Sequence, residues 1–187
     1  MTIYRRDIFP RVELSSTAYV ILGLLRKGPK SGYEIKAVVD RSTRFFWAAS
    51  YGQIYPELRR LSDIGLIEGT STPQGGRKRT VYRLTADGRR ELRRWLDVEP
   101  EMFELRDEAL LKLFFAGAKP DAARKAIEAR RAHHEEKLRQ LREIEPLAKA
   151  AADGFPHMVL RCGVDYSESI IRWCDRALAE LDQEEAA

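Results

Sequence analysis

One stretch of the chain, SYGQIYPELRRLSDIG at residues 50–65, carries small, polar and cationic side chains at helical spacing. A period of 3.6 residues places four apolar positions on one stripe, which we expect to face the core. They are Tyr51, Ile54, Leu58 and Leu61. The opposite face carries Gly52, Gln53, Pro56, Arg59, Arg60 and Asp63. Glycine lets a partner approach the backbone, glutamine pairs with base edges, and arginine binds guanine or phosphate. The stretch is therefore typical of a helix that reads DNA.

Two segments of strand composition follow, at residues 66–72 and 80–85. Turn residues at 73–76 separate them and lead directly into Arg77, Lys78 and Arg79. Three cations at a glycine-rich hairpin tip suit a phosphate backbone, because attraction to phosphate requires charge rather than shape. A short basic run alone is more often a solvated loop. Its place after the predicted reading helix favours a wing that contacts DNA.

Charge is unevenly distributed along the 187 residues. Residues 1–98 contain 19 Lys+Arg and 10 Asp+Glu, a net charge of +9, and residues 99–187 carry −5, so that the chain totals +4. The first half is thus expected to bind anions. No apolar run approaches about 20 residues, and the N-terminus lacks a signal-peptide core. We expect a cytoplasmic protein with no membrane partner. Cys162 and Cys174 are interpreted as reduced core residues, with an intermolecular disulfide as the alternative.

The remaining elements of the first half are predicted from caps and apolar stripes. Ser15 or Ser16 can cap a first helix, and Ser31 a second one, in which Glu34 completes a capping box. Three aromatic residues, 45–47, are interpreted as a plug beneath the domain, and Thr85 starts a further helix. The order of helix, helix, helix, strand, strand and helix predicts a winged helix-turn-helix domain over residues 15–98. Residues 1–14 form either a basic arm or a strap.

The second half is predicted to be helical. After a short helix at 106–117, Pro120 opens a long helix with a heptad-like seam that Pro146 should kink or end. The last helix, 157–181, has two apolar stripes, and one partner helix from the same chain can cover only one of them. We therefore predict a coiled-coil-like dimerisation domain over residues 104–182. Its predicted interface consists of Leu141, Val159, Tyr166, Ile170, Trp173 and Ala177. The fold class is mainly α with a small β-hairpin.

Four segments together resemble the PadR family of transcriptional regulators. They are AYVILGLL at 18–25, GPKSGYEI at 28–35, GQIYPELRRL at 52–61 with GLI at 65–67, and RTVYRLTADG at 79–88. The resemblance covers roughly residues 14–97, and the C-terminal half resembles that family's dimerisation region in pattern and length only. It implies a homodimeric winged-helix regulator, usually a repressor, on a pseudo-palindromic operator. Some members respond to phenolic or hydrophobic small molecules held between the subunits.

The pattern and the resemblance together define the expected sites. Tyr55 is placed where its hydroxyl can meet phosphate, and Tyr33 is either a similar contact or a half-buried aromatic. The predicted DNA-binding residues are Tyr33, Ser50, Tyr51, Gly52, Gln53, Tyr55, Pro56, Arg59, Arg60, Arg77, Lys78 and Arg79. A small aromatic effector is expected at Tyr166, Ile170 and Trp173, because Trp173 lies in the middle of the predicted interface stripe.

Other function classes find little support in the sequence. The three histidines lack cysteine or acidic neighbours at zinc-ligand spacing, and no phosphate-binding glycine loop or nucleophile motif is present. We therefore predict no enzyme, no metal and no cofactor. The alternative is a winged-helix module that binds another protein, with the C-terminal helices as a scaffold. A steep salt dependence of duplex binding would separate the two hypotheses.

Overall fold

The computed structural model of the chain describes residues 13–74, 77–101, 106–119 and 121–185. The chain forms two compact units, unit 1 at Met1–Pro100 and unit 2 at Glu101–Ala187. Most of the expected N-terminal arm therefore lies outside the described residues. Within the described ranges, no helix has the length and apolar character needed to cross a membrane.

Unit 1 begins with two capped helices. Helix α1, Ser16–Leu25, is capped by Ser15, whose Oγ accepts a hydrogen bond from the Ala18 backbone N–H at 3.1 Å. Helix α2, Gly32–Asp40, has the predicted capping box between Ser31 and Glu34. The predicted stripe of α1, Ala18, Ile21, Leu22 and Leu25, is buried. The predicted stripe of α2 is Ile35, Val38 and Val39, of which Val38 is only partly buried.

Helix α3, Tyr51–Asp63, packs on this pair through Ile54, Leu58 and Leu61, each fully buried. The prediction that Tyr51 also faces the core is wrong, because Tyr51 is exposed at the first turn of the helix. The predicted aromatic plug is also wrong. Phe46 and Trp47 are exposed beside a single 3-10 turn at Thr43–Phe45, and the small residue Ala49 occupies the buried position instead.

A three-stranded antiparallel sheet follows, with the order β1-β3-β2. Strands β2, Ile67–Gln74, and β3, Arg77–Leu84, pair from Ile67↔Leu84 to Gln74↔Arg77. The predicted turn at 73–76 is therefore too long, since Pro73 and Gln74 belong to β2, while Gly75 and Gly76 lie outside the described residues. The short strand β1, Lys30–Ser31, pairs with β3 and was not predicted, because two residues carry no periodic pattern.

Helix α4, Ala86–Leu96, closes unit 1. Thr85 caps it by accepting a hydrogen bond from the Gly88 N–H at 3.0 Å. Leu92 is buried, whereas Leu96 is exposed. The Trp95 ring stacks on Tyr19 with 4.6 Å between ring centroids. This stack keeps α4 against α1 at the edge of the core.

Unit 2 consists of α5, Glu108–Phe114, α6, Asp121–Lys149, and α7, Phe155–Glu185. The long helices α6 and α7 are antiparallel, as three ion pairs between them show. These pairs are Arg124–Asp182, Arg131–Asp175 and Arg142–Glu168. The stripe of α7 that faces α6 includes Leu160, Ser167 and Cys174, all buried.

Two details of unit 2 differ from the sequence predictions, and a third lies outside the described residues. Helix α6 continues through Pro146 to Lys149, which is tolerated because only the last turn loses a backbone donor. Cys162 is exposed rather than in the core, since the face of α7 that carries it points away from α6. Pro120, the predicted first residue of the long helix, lies outside the described residues.

Candidate functional site

The first two turns of α3 form an exposed surface. The predicted residues Ser50, Tyr51, Gly52, Gln53, Tyr55, Pro56 and Arg59 are all exposed. The rings of Tyr51 and Tyr55 stack with 6.1 Å between centroids, and Lys36 Nζ of α2 lies 5.3 Å from the Tyr51 ring centroid. Tyr33 is exposed on α2, which rules out the half-buried alternative. We call Tyr33, Lys36, Tyr51 and Tyr55 the tyrosine surface.

A glycine contact joins the two helices of this surface. A Cβ added at Gly32 would lie 2.7 Å from Cε1 of Tyr55, which is closer than real Cβ atoms approach. The absence of a side chain at Gly32 therefore allows the Tyr55 ring to lie against the start of α2. The position of Tyr55 is fixed by this packing rather than by α3 alone.

Gln53 has a structural role as well as an exposed position. Its Oε1 accepts a hydrogen bond from the Ser50 backbone N–H at 2.8 Å and so caps α3. The Nε2 donors are then the part of the amide suited to acceptors on a base edge, such as guanine O6 or N7.

Arg60 has two partners within unit 1, although its side chain is 39% exposed. Its Nη1 lies 3.1 Å from Glu57 Oε1, and its Nη2 donates to the Glu13 carbonyl at 2.8 Å. Glu13 lies before α1 in the chain. The helical projection of α3 therefore could not reveal its contact with Arg60. Arg59, one residue earlier, is exposed on the outward face.

The three basic residues of the hairpin lie in strand β3 rather than in a loop. The side chains of Arg77 and Lys78 lie outside what the structure describes. Arg79 Nη2 is 2.8 Å from Oε1 of Glu34, at the start of α2. Hydrogen bonds from the Ser31 backbone and hydroxyl, followed by the one from Arg79, lower the pKa of Glu34 to about 2. The Glu34 carboxylate therefore stays ionised at neutral pH and pairs with Arg79.

Sequence reasoning missed Lys36 and the second role of Glu34. A signal for Lys36 was present, since it follows Tyr33 by three residues and so shares its helix face. No such signal existed for Glu34 and Arg79, because they are 45 positions apart and meet only through the sheet.

Unit 2 contains a second group of aromatic and polar side chains, the Trp173 cluster, defined as Asp107, Arg130, His134, Tyr166 and Trp173. The Arg130 guanidinium lies 5.5 Å from the Trp173 ring centroid and donates from Nε to Asp107 at 2.8 Å. Burial acts to raise the pKa of Asp107, but hydrogen bonds from Arg130 and from the Leu110 N–H outweigh it and leave that pKa lowered. Asp107 therefore remains a carboxylate paired with a buried cation.

His134 is the unusual member of the Trp173 cluster. It is 6% exposed, its ring lies 5.6 Å from that of Tyr166, and its Nδ1 is buried with no hydrogen-bond partner among the described residues. Burial, with a further contribution from the Arg130 charge, lowers the pKa of His134 to about 4. The imidazole is thus neutral at pH 7. A buried nitrogen without a hydrogen-bond partner is costly.

The predicted interface residues differ in their exposure within one chain. Val159 and Tyr166 are exposed, whereas Ile170, Trp173 and Ala177 are partly buried. Leu141 is 2% exposed and packs on Gly163 of its own chain, so we leave it out of the proposed interface. Further exposed apolar side chains lie on α5, on α7 and just after α5. They are Leu111, Phe114, Phe115, Phe155 and Met158.

Comparison with known proteins gives matches to both halves of the chain. The model of the transcriptional regulator PadR-like family matches residues 21–94, and that of the virulence activator alpha C-terminal region matches residues 105–182. The chain is 32% identical over 179 residues to the negative transcriptional regulator PadR of Bacillus subtilis (strain 168). That match covers 89% of this chain and 97% of the relative.

Two crystal structures of Bacillus subtilis PadR are similar to the structure described above. The structure in complex with operator DNA has a TM-score of 0.79 at 31% identity and covers 90% of this chain and 99% of that chain. The structure in complex with p-coumaric acid has a TM-score of 0.73 at 30% identity and covers 91% and 99%, respectively.

Proposed function

Because the chain belongs to the PadR-like family of transcriptional regulators, we propose that it is a repressor that binds a pseudo-palindromic operator as a homodimer and is released by a small phenolic effector. The proposal assigns residues 15–98 to DNA binding and residues 104–182 to dimerisation. It places the protein in the cytoplasm with its DNA target and gives it no catalytic role.

The exposed tyrosine surface carries the DNA-binding part of this proposal. Aromatic and glycine residues are exposed together at the start of α3, beside Arg59, in a unit whose residues 1–98 carry +9. Because these aromatic side chains lie together and do not pack in a core, their exposure indicates a binding surface. Tyrosine hydroxyls bind phosphate oxygens, and the first turns of a helix can enter the major groove. The solved complex of Bacillus subtilis PadR with operator DNA supports DNA binding as the function.

A first prediction tests DNA binding through the wing. We expect Arg77→Ala with Lys78→Ala to weaken binding to operator and to random duplex equally, because phosphate contacts carry no sequence information. Each lost phosphate contact should reduce the slope of log affinity against log salt by about 0.9. Fluorescence anisotropy with the region upstream of the protein's own gene, at several salt concentrations, measures both quantities.

Arg59→Ala is the comparison variant in the same assay. Because Arg59 lies on the reading face of α3, its loss should reduce the preference for operator over random duplex by about 1–3 kcal/mol. If the wild-type chain bound neither duplex, or bound both without salt dependence, the protein-binding alternative would replace the DNA proposal.

The Trp173 cluster supports the effector part of the proposal. Trp173 and Tyr166 offer aromatic faces, Arg130 is a buried cation, and His134 Nδ1 lacks a partner. A hydroxycinnamic acid has the complementary parts, namely a flat ring, a carboxylate and a phenol that can donate to a neutral imidazole. The structure of Bacillus subtilis PadR with p-coumaric acid makes such acids the first compounds to test.

The second prediction concerns this effector. A ligand shifts the equilibrium between two conformations only if it binds one of them more tightly. We expect the effector to bind the conformation with the lower operator affinity and so to lower operator affinity by about tenfold. This change corresponds to a coupling free energy of about 1.4 kcal/mol. We expect p-coumaric acid to change the tryptophan emission of the wild type and not that of Trp173→Phe.

The matched control for this prediction is Trp95→Phe, which removes a tryptophan of unit 1 that stacks on Tyr19 and should retain the response. A full emission response in Trp173→Phe would place the ligand elsewhere. Operator affinity that no hydroxycinnamic acid changes would remove the effector from the proposal.

A further inference from the structure

One carboxylate of unit 1, that of Glu34, contacts two elements at once. Its Oε2 accepts hydrogen bonds from the Ser31 N–H and Oγ, each at 2.7 Å, and thereby caps α2. Its Oε1 is 2.8 Å from Nη2 of Arg79 on β3. The residue thus joins the helix of the tyrosine surface to the hairpin strand that carries the basic residues.

The sheet topology explains why a contact at this point matters. Strand β1 pairs with β3 only at Lys30↔Tyr82 and Ser31↔Val81, whereas β2 and β3 continue to Gln74↔Arg77. The outer half of the hairpin therefore has two strands only, and two-stranded ribbons twist strongly and are marginally stable. Arg79 lies two residues beyond the last pair with β1, on the same side of β3 as Val81. Its ion pair extends the attachment of the hairpin past the end of the third strand.

The exposure of this pair limits what it can contribute to folding. The side chains of Arg79 and Glu34 are 42% and 46% exposed, and exposed ion pairs of that kind contribute little to stability. The same ion pair can still set the orientation of the hairpin relative to α2. A rotation at the base of a hairpin displaces its outer end, and contacts between its cations and phosphates depend on that position.

We propose that Glu34 is a positioning residue for the wing, and that Arg79 supports DNA binding by pairing with Glu34 rather than by contacting a phosphate. This inference rests on the proposed DNA-binding function. It differs from the sequence prediction, which placed Arg79 on DNA with Arg77 and Lys78. The target is still the phosphate backbone of a duplex. Arg77 and Lys78 remain its expected contacts, and Arg79 does not.

The two roles of Arg79 predict opposite effects of neutralising Glu34. If Arg79 contacted phosphate, Glu34 would compete with DNA for the guanidinium, and Glu34→Gln would strengthen binding. If Glu34 positions the wing, Glu34→Gln weakens binding even though it removes a negative charge from a DNA-binding unit. Glutamine keeps an oxygen that can accept from Ser31, so the cap of α2 is preserved.

The third prediction is measured by anisotropy on the same duplexes across a salt series. We expect Glu34→Gln and Arg79→Gln each to lower duplex affinity by about three- to tenfold, the range of coupling between residues in contact. The salt slope of both variants should equal that of the wild type, and the double variant should bind no more weakly than either single one. Thermal unfolding of unit 1 should be almost unchanged in all three.

Glu68→Gln is the matched control, because Glu68 forms an exposed ion pair with Arg83 at 2.7 Å within the hairpin. Removing that carboxylate should leave affinity unchanged or raise it slightly. Tighter binding of Glu34→Gln, or a salt slope reduced by about 0.9 in Arg79→Gln, would contradict the positioning role of Glu34. Neither result would contradict the proposed DNA-binding function. A wild-type chain that binds no duplex would overturn the proposed function and this inference with it.

Discussion

Ile170→Asp is expected to dissociate the homodimer and, as a consequence, to abolish specific operator binding. Ile170 is partly buried in the single chain, on the stripe of α7 that also carries Val159, Tyr166 and Trp173. In a two-fold interface each substitution occurs twice, so two carboxylates would be desolvated without partners. We expect a cost of a few kcal/mol, which raises the dimer dissociation constant by more than about 100-fold.

Light scattering and sedimentation measure this change, and anisotropy with a full operator and with a half-site measures its effect on DNA. The matched control is Ala179→Asp, which places the same charge on an exposed position of the same helix. The control should remain dimeric. If Ile170→Asp stayed dimeric at micromolar concentration, the interface would instead be assigned to the exposed residues of α5 and of the start of α7.

Gly88→Ala is expected to unfold or strongly destabilise unit 1. A Cβ added at Gly88 would lie 2.0 Å from the Leu66 carbonyl oxygen and 3.0 Å from Leu84 Cδ2. The Leu66 carbonyl cannot move freely, because the N–H and Oγ1 of Thr85 both donate to it, at 3.2 and 3.0 Å. The start of α4 must therefore shift away from β2. Such overpacking costs about 1–3 kcal/mol or more.

Chemical and thermal unfolding of unit 1 test this expectation, and a loss of that size lowers the melting temperature by roughly 4 °C or more. Gly23→Ala is the matched control, since Gly23 lies within α1 and a Cβ there meets no atom within 4 Å. Alanine should stabilise that helix by about 0.5–1 kcal/mol. Equal stability of Gly88→Ala and the wild type would mean that α4 is free to shift.

The sequence predicted the local architecture of unit 1 well, because caps and apolar stripes act within one turn or one face of a helix. Ser31 and Glu34 form the predicted box, and Ile54, Leu58 and Leu61 are buried as the helical period required. The reading face of α3 followed from the same projection, and most of its residues are exposed. Periodicity failed at Tyr51, which lies on the apolar stripe but is exposed, and composition failed at Trp47, which was assumed to be buried because it is apolar.

The tertiary structure showed which of the outward residues have partners within unit 1. Arg60 and Arg79 both have the sequence features of phosphate ligands, but Arg60 donates to the Glu13 carbonyl and Arg79 pairs with Glu34. Those partners are distant in sequence, so no local pattern could identify them. The same reason applies to the Trp173 cluster, in which Asp107 and Arg130 come from different elements of unit 2. The sequence by itself determined the elements and their faces, because hydrophobic periodicity and capping are local. Only the fold determined the contacts of each charge, because electrostatic partners are set by distance in space.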